Sequence, residues 1–248
     1  MCGIVGILGK EPVANPILDA LARLEYRGYD SAGIAVLEDG RLQRERAPGK
    51  LGILKGKLNG HTFKGTTGIG HTRWATHGVP NEVNAHPHFA GRVAIVHNGI
   101  IENYRELRDE LAAEGASFSS QTDTEIVAHL LDRALKRGSS PREAVRDTLK
   151  RLKGAFAFAI LFEGEDDLLI GARRGSPLAV GHGDGEMFLG SDAMALAPFT
   201  NRVTYLEDGD WVVLTRKGFE LFDAQDRQVV RPINYTQASA LMAEKGGY

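Results

Sequence analysis

The sequence has a single cysteine, Cys2, among 248 residues. One cysteine cannot form an internal disulfide, which is compatible with a reducing compartment. No stretch approaches the roughly 20 apolar residues that a membrane-spanning helix needs. The N-terminus also lacks the basic region and the long apolar run of a signal peptide. These absences predict a soluble, cytoplasmic protein with no membrane partner.

An excess of charge of one sign is also lacking, because 30 Lys and Arg against 32 Asp and Glu give a net charge of −2. There is therefore no global electrostatic attraction to nucleic acid or to an acidic membrane surface, and no nucleic-acid partner is predicted. The hydrophobic content of 42% and the charged content of 25% are ordinary globular values. A chain of this length can bury a substantial core.

Helix periods and strand periods follow one another in blocks. Three helices are predicted in a row: one over 103–114, one capped by Thr122 with Glu125 at the reciprocal position, and one starting at Ser140. From 155 to 162 the period changes to two with both faces apolar, which predicts a strand covered on both sides. This order predicts an α+β fold whose sheets carry helices on their covered faces.

The sequence also predicts other helices, loops and strands. Two further helices are predicted, one opening at Glu11-Pro12 and one over 49–60, and loops are predicted at 26–33 and 74–91. The remaining predicted strands lie at 4–8, 34–37, 42–46, 66–73, 93–96, 167–172, 178–182, 186–190, 203–206, 210–215 and 219–222.

The N-terminal stretch joins the only cysteine to a predicted strand. Ile4 to Leu8 is a short apolar run with glycine on both sides, which is typical of a buried strand. Removal of Met1 would give Cys2 a thiol and a free α-amine on one residue. Such an amine has a pKa of about 7.7–8.0, which suits proton transfer to and from a nucleophilic thiol. The alternative, from these residues alone, is a small buried thiol that only packs.

Histidine is concentrated in one stretch, with His71, His77, His86, His88 and His97 accounting for five of the eight in the chain. A metal site is an alternative interpretation of this cluster. However, no carboxylate or cysteine lies among these histidines at tight ligand spacing, and a His-Pro-His sequence is not a strong zinc pattern. The sequence therefore predicts no metal and no other cofactor, with a metal-binding module kept as the alternative.

Three further sites offer groups suited to an amino-acid substrate. Arg73 carries a planar fork that fits a carboxylate, and Asp123, just before a predicted helix, offers a counter-charge for an ammonium. Asn98 and the backbone N–H of Gly99 are the donors that an oxyanion hole needs. Each has an ordinary alternative: a surface ion pair, a helix-start residue and a hairpin turn. Together with the Cys2 thiol they describe an amino acid whose side-chain carbonyl is attacked, and glutamine fits.

At these residues the sequence resembles the class II glutamine amidotransferase domain, and more closely the glutaminase domains of the glucosamine-6-phosphate synthase family. The resemblance covers nearly all of the chain. Five motifs in the right order make it very specific. The motifs are Cys2 to Gly6 (CGIVG), Tyr26 to Gly33 (YRGYDSAG), His71 to Gly78 (HTRWATHG), Val96 to Tyr104 (VHNGIIENY) and Thr122 to Glu125 (TDTE).

The resemblance implies an N-terminal nucleophile hydrolase fold, a four-layer αββα sandwich of two antiparallel sheets between helical layers. It implies that Cys2 is the nucleophile and that its own α-amine is the base. Asn98 and the N–H of Gly99 would form the oxyanion hole.

The resemblance also assigns the substrate-binding groups. Arg73, with Thr76 and His77 of the following loop, would hold the glutamine α-carboxylate. Asp123 would hold the α-ammonium. Trp74 belongs to the loop that closes over bound glutamine in this family.

Members of the synthase family continue into sugar-isomerase domains that bind fructose-6-phosphate. The resemblance implies that residues 1–235 are a glutaminase domain and that 236–248 begin a linker to sugar-isomerase domains absent from this chain. Such a domain hydrolyses L-glutamine and supplies ammonia for glucosamine-6-phosphate synthesis, in a full-length enzyme expected to be a homodimer.

Two other interpretations stay open. One is the glutaminase domain of another class II enzyme, such as a phosphoribosyl-pyrophosphate amidotransferase, although Trp74 and the stretch from Val96 to Tyr104 favour the amino-sugar enzyme. The other is a non-catalytic, His-rich metal-binding module.

Overall fold

The strand predicted after Cys2 lies inside a sheet. The structure is a computed structural model that describes residues 2–58, 63–74, 79 and 81–237. Gly3–Leu8 forms β1, which is buried along its whole length and pairs with an antiparallel strand on each side. Two glycines permit close packing of both faces. A Cβ at Gly3 would lie 2.6 Å from Leu24 in the helical layer, and one at Gly6 would lie 3.0 Å from Leu169 of the second sheet.

The first sheet has eight antiparallel strands within the described residues, with β1 near its middle. Its other strands are β2 (Ser31–Glu38), β3 (Arg41–Pro48), β4 (Thr67–Arg73), β9 (Ala179–His182), β10 (Met187–Gly190), β11 (Arg202–Tyr205) and β15 (Asn234–Tyr235). Their spatial order is β15-β11-β9-β10-β1-β4-β2-β3.

The second sheet is antiparallel too, and seven strands of the described chain belong to it. These are β5 (His88–Ala90), β6 (Val93–Ile101), β7 (Gly154–Phe162), β8 (Leu169–Arg174), β12 (Trp211–Thr215), β13 (Gly218–Phe222) and β14 (Gln228–Val229). Their order is β14-β13-β12-β8-β7-β6-β5.

Helices cover the outer face of each sheet, so the fold has the four αββα layers that were predicted. Helices α1 (Ala14–Ala22), α2 (Leu51–Leu58) and the short α6 (Ala193–Leu196) contribute to one apolar cluster with the first sheet. Helices α3 (Tyr104–Ala113), α4 (Asp123–Lys136) and α5 (Pro141–Arg151) do the same with the second sheet. A third cluster fills the space between the sheets.

Strand β7 shows why its sequence is apolar on both faces. Phe156, Phe158, Ile160 and Phe162 pack into the cluster beneath α3–α5. The alternate side chains Ala157, Ala159 and Leu161 pack into the cluster between the sheets, where small residues let the two sheets approach each other. Ala155, predicted to be covered with them, is exposed at the end of the strand.

Several predicted boundaries are wrong because pairing partners override local patterns. Ser31 to Gly33, predicted as loop, belong to β2, and Gly33 is essential there because a Cβ would lie 2.1 Å from the carbonyl oxygen of His86. Helix α1 begins at Ala14 and not at Glu11-Pro12, because the Val13 N–H donates to Gly65 O and ties this segment to the start of β4.

Other differences concern short elements. Strand β5 interrupts the predicted loop over 74–91, and α6, β14 and β15 have too few residues to show a period. The predicted helix end at Gly60 and residues 238–248 of the predicted linker lie outside the described residues. In the part of the chain that the structure describes, no helix combines the length and the apolarity needed to cross a membrane.

Arg216, in the turn between β12 and β13, links the two sheets. Its guanidinium donates to Gly9 O at 2.7 Å and to the Thr66 and Thr67 hydroxyls at 2.8 and 2.9 Å, all on the first sheet. It also pairs with Asp167, just before β8 of the second sheet, at 3.1 Å. Because the planar fork presents five N–H groups, arginine can bind all of these acceptors at once, whereas lysine cannot.

We therefore expect Arg216→Lys to lower the free energy of unfolding by about 1–3 kcal/mol, since several partly buried acceptors lose their donor. The matched control is Arg142→Lys, because Arg142 forms an ion pair with Glu220 in which both side chains are about half exposed. That exchange should cost less than about 1 kcal/mol. Urea unfolding of both variants measures the difference, and equal midpoints would show that Arg216 does not tie the sheets together.

Candidate active site

The thiol of Cys2 lies at the edge of a cavity, at the start of β1. The Trp74 N–H donates to Sγ at 3.2 Å, and Sγ lies 3.6 Å from the Trp74 carbonyl oxygen, to which the thiol can donate. Burial raises the pKa of the Cys2 thiol, and the Trp74 N–H, which favours the thiolate, only partly opposes this. The thiol is therefore protonated at neutral pH and needs a base before it can act as a nucleophile.

Asn98 and Gly99 are brought to Cys2 by β6 of the other sheet. Asn98 Nδ2 donates to the Cys2 carbonyl oxygen at 3.2 Å. The prediction that these two residues follow a strand is wrong, because β6 continues through them to Ile101, paired with β7 throughout. Gly99 has φ of +126°, and a Cβ there would lie 2.1 Å from the carbonyl oxygen of Ala155. Only glycine fits this backbone conformation. Gly99 itself is exposed at the site.

A cavity of about 420 Å³ opens beside the thiol and brings together most of the predicted site residues. The predicted residues that line it are Cys2, Arg73, Trp74, Asn98, Gly99 and Asp123. Thr76 and His77 lie outside the described residues, so their roles remain predictions. A volume of this size is within the range of small-molecule sites.

Arg73 and Trp74 stand where β4 ends. The Arg73 side chain is buried, which lowers the pKa of its guanidinium, while the charges of Asp30, Cys2 and Asp123 act in the opposite direction. Trp74 is 54% exposed. Its indole lies against the backbone of Gly28, where a Cβ would come within 2.7 Å of the ring. The site thus has a buried cation beside an aromatic side chain that faces solvent.

Asp123 supplies the negative charge. It is the first residue of α4, where the helix dipole stabilises a carboxylate. The Ile101 N–H donates to Oδ2 at 2.7 Å, and Oδ1 lies 4.0 Å from His97 Nδ1. One backbone hydrogen bond fixes the carboxylate, so the buried Asp123 presents its charge to the same cavity as Arg73.

The cap of α4 differs from the predicted reciprocal cap. The Thr122 hydroxyl accepts from the Glu125 N–H at 3.4 Å as expected. The Glu125 carboxylate, however, accepts from the N–H and O–H groups of Ser119 and Ser120, at 2.6–2.7 Å, and not from the Thr122 N–H. Although burial alone would raise it, these bonds and His129 hold the pKa of Glu125 well below its usual range. The acid therefore fixes the loop that precedes Asp123.

Sequence reasoning missed several residues that line the cavity. Ser176 and Pro177 reach it because Gly175, after β8, forms a bridge with Phe156 of β7. No local pattern signals this contact, which depends on sheet order. Thr122 and Thr124 flank Asp123 and line the cavity with it.

Four buried histidines surround the back of the site. The rings of His71 and His86 stack with centroids 4.1 Å apart, and His88 packs edge-on against His86 at 4.7 Å. Burial lowers the pKa of His71 and of His88 to about 3, and that of His86 well below its ordinary value. His97 Nδ1 bonds the Thr124 hydroxyl at 2.9 Å. Within the described chain, no group of three or more His, Cys, Asp or Glu is arranged to hold a metal ion.

A cysteine just before a central strand, facing an Asn-Gly pair on a second antiparallel sheet inside an αββα sandwich, is the arrangement of the N-terminal nucleophile hydrolase fold. The sequence model of the glutamine amidotransferase domain matches residues 71–198, more than half of the chain. The chain belongs to the glutamine amidotransferase family.

Curated relatives match the whole chain. A glutamine--fructose-6-phosphate aminotransferase (isomerizing) of Mesorhizobium japonicum is 63% identical over 99% of this chain. A protein of the same name from Zymomonas mobilis is 60% identical over all of it. The chain spans 40% and 41% of the length of these two relatives.

Solved structures show the same fold. The glutamine phosphoribosylpyrophosphate amidotransferase of B. subtilis, in complex with ADP and GMP, superposes with a TM-score of 0.77 and 26% identity, over 90% of this chain and 49% of that one. A glutamine aminotransferase class-II domain protein of Silicibacter pomeroyi has a TM-score of 0.60 at 16% identity, over 90% of this chain and 99% of that one, and shows the fold alone.

The buried histidines make the stability depend on pH. His71, His86 and His88 stay neutral when folded but take up protons with a pKa near 6.5 when unfolded. Below pH 6.5 the unfolded chain therefore binds more protons, and stability falls as the pH falls towards about 3. Near pH 5.5 the unfolded chain binds about three more protons than the folded chain. The free energy of unfolding should therefore drop by about 3–4 kcal/mol for each unit by which the pH falls.

Urea titrations between pH 7.5 and 5 measure this slope. His88 Nε2 lies 3.1 Å from the Thr122 hydroxyl, and His88→Gln keeps a donor there. Because this variant has one buried imidazole fewer, its slope should be smaller by the contribution of about one proton. A stability that is flat from pH 7 to 5.5 would show that these rings are already charged in the folded protein.

Proposed function

We propose that this chain hydrolyses L-glutamine to glutamate and ammonia through a thioester on Cys2. The observation that carries the proposal is the cavity in which the Cys2 thiol, the Asn98 amide, a buried guanidinium and a buried carboxylate meet. The family of the chain and the names of its relatives support the same substrate.

The charged groups account for substrate recognition. Arg73 binds the α-carboxylate of glutamine with its fork, and Asp123 binds the α-ammonium. Thr76 and His77 add contacts to the carboxylate, and Trp74 closes over the bound amino acid. Because the two charges lie along one cavity with the thiol, they orient the side-chain carboxamide towards Sγ.

The base is the α-amine of Cys2, freed by removal of Met1. The raised pKa of the thiol makes a base necessary. Two ring nitrogens at the back of the site already have partners, which favours the amine as the base: His86 Nδ1 accepts from the His97 N–H at 3.2 Å, and His97 Nδ1 bonds the Thr124 hydroxyl. The amine takes the thiol proton as sulfur attacks the carboxamide carbon.

The negative oxygen formed by that attack accepts from Asn98 Nδ2 and from the Gly99 N–H. Asn98 has two N–H groups, so donation to the Cys2 carbonyl leaves one for this oxygen. The intermediate collapses when the ammonium returns its proton to the leaving nitrogen, and ammonia departs. Water, activated by the same amine, then hydrolyses the thioester to glutamate and regenerates the thiol.

In a longer protein, residues 1–235 form the glutaminase domain and 236–248 begin the linker to a sugar-isomerase part. That part transfers the ammonia to fructose-6-phosphate and yields glucosamine-6-phosphate, in a cytoplasmic homodimer. The relatives at 60–63% identity carry the corresponding name, whereas the phosphoribosylpyrophosphate enzyme is 26% identical. That contrast favours the amino-sugar enzyme over the other synthase.

Retention of Met1 should abolish glutamine hydrolysis although the thiol is intact. The amine would become an amide, which accepts no proton, and a side chain would occupy the substrate position. Cys2→Ala with Met1 removed should be equally inactive, because it lacks the nucleophile. Glutamate release is measured on each form after its N-terminus has been confirmed by mass. Near-normal turnover by the form that keeps Met1 would refute the terminal amine as base.

Arg73→Lys should lower catalytic efficiency on the order of 10²-fold or more, because lysine keeps the charge but loses the two-pronged contact with the carboxylate. The matched control is Arg231→Lys. Arg231 binds Asp210 with two nitrogens at 2.9–3.0 Å and is not among the residues that line the cavity. Steady-state assays of both variants separate the loss of a substrate contact from the general effect of an Arg-to-Lys exchange. Equal catalytic efficiencies of the two variants would show that Arg73 does not bind the substrate.

A further inference from the structure

His71 lies next to the predicted oxyanion donor, although the mechanism above gives it no step. It belongs to β4, on the same face as Ile69, and reaches across to β6 of the other sheet. Its Nε2 is 3.0 Å from the carbonyl oxygen of His97 and 2.9 Å from Oδ1 of Asn98. The ring is completely buried. It is thus the side chain through which β4 of the first sheet contacts the amide of Asn98.

The contacts fix which nitrogen of His71 carries the proton. A backbone carbonyl oxygen only accepts, so Nε2 must be the donor, shared between His97 O and Asn98 Oδ1. Burial keeps the ring neutral by lowering the pKa of His71 to about 3. The single proton is therefore on Nε2, and Nδ1 is bare.

Nδ1 of His71 is buried and has no hydrogen-bond partner among the residues that the structure describes. An unpaired polar atom of this kind lowers stability, and an apolar side chain of similar volume would avoid the cost. Stability alone therefore does not account for an imidazole here. Stacking on His86 holds the plane of the ring, so that Nε2 stays aimed at the amide.

The orientation of the Asn98 amide decides whether it can act in catalysis. With Oδ1 towards His71, Nδ2 faces the Cys2 carbonyl and the cavity. A half-turn of the amide would present an oxygen to the oxyanion and to the Cys2 carbonyl, which is repulsive at both contacts. A donor beside Oδ1 selects the productive orientation before substrate arrives.

We propose that His71 is a positioning residue whose Nε2–H holds the Asn98 amide with its N–H groups towards the reacting carbonyl. This rests on the proposed glutamine hydrolysis. Preorganised donors of this kind act in the transition state and not in substrate binding. The loss of the His71 donor should therefore lower kcat and leave KM for glutamine nearly unchanged.

Two amide variants of His71 provide a matched test. In His71→Gln the side-chain nitrogen can occupy the place of Nε2, so the donor to Asn98 is kept. In His71→Asn the amide ends near the place of Nδ1, so the donor is lost although polarity is kept. We expect kcat to fall roughly 10²–10³-fold in His71→Asn and less than about tenfold in His71→Gln.

A double-mutant cycle with Asn98→Ala adds a measurement that a purely structural role would not reproduce. If His71 acts through Asn98, His71→Asn should have little further effect on kcat once the Asn98 amide has been removed. Full additivity in the cycle, equal kcat of the Gln and Asn variants, or an effect on KM alone would overturn the proposal.

The hydrogen bond itself can be measured without turnover. The ¹⁵N spectrum of histidine in the unaltered chain should show His71 as the neutral Nε2–H form at neutral pH. A cationic ring or an Nδ1–H form would overturn the proposal even if both variants failed to fold. Absence of glutamate release by the unaltered chain would instead refute the proposed function, while the spectrum would still decide the state of His71.

Discussion

The pairing of β1 between β4 and β10 is the constraint on which the site depends. It fixes the position of Cys2, which directly precedes β1, because Gly3 at the start of β1 pairs with Thr72 near the end of β4. The register also brings the end of β4 alongside, so that the Trp74 backbone contacts the sulfur and Arg73 enters the cavity. Buried strands on both sides of β1 thus hold the segment that follows Cys2, and the Cys2 thiol has a defined position.

The second sheet completes the site because the two sheets approach closely. Small residues of β7 fill the interface with β1 and β4. Within the second sheet, Gly99 leaves room for the backbone of Ala155. The Asn98 amide then meets both the Cys2 carbonyl and the His71 ring. Polar groups of both sheets are thus joined by hydrogen bonds at the cavity, whereas apolar packing dominates the space between the sheets elsewhere.

The long periodic elements could be predicted from the sequence, and so could six of the residues that line the cavity. The apolar runs of β1 and β7 and the helix stripes are local signals, and Cys2, Asn98 and Asp123 carry chemistry that the motifs indicate. Strand order could not be predicted in the same way. It decides that β6 continues through Gly99 and that Ser176 reaches the cavity. The contact of His71 with Asn98 could not be predicted either, because a histidine among small residues gives no period.

The central claim is that Cys2, with a free α-amine, is the nucleophile of this cavity. The most direct measurement is intact-mass analysis and peptide mapping after exposure to a glutamine analogue that carries an electrophile in place of the carboxamide. The account predicts one adduct per chain, on the thiol of Cys2, in chains that have lost Met1, and prevention of that adduct by glutamine. An adduct on another residue, or equal labelling of chains that keep Met1, would contradict it.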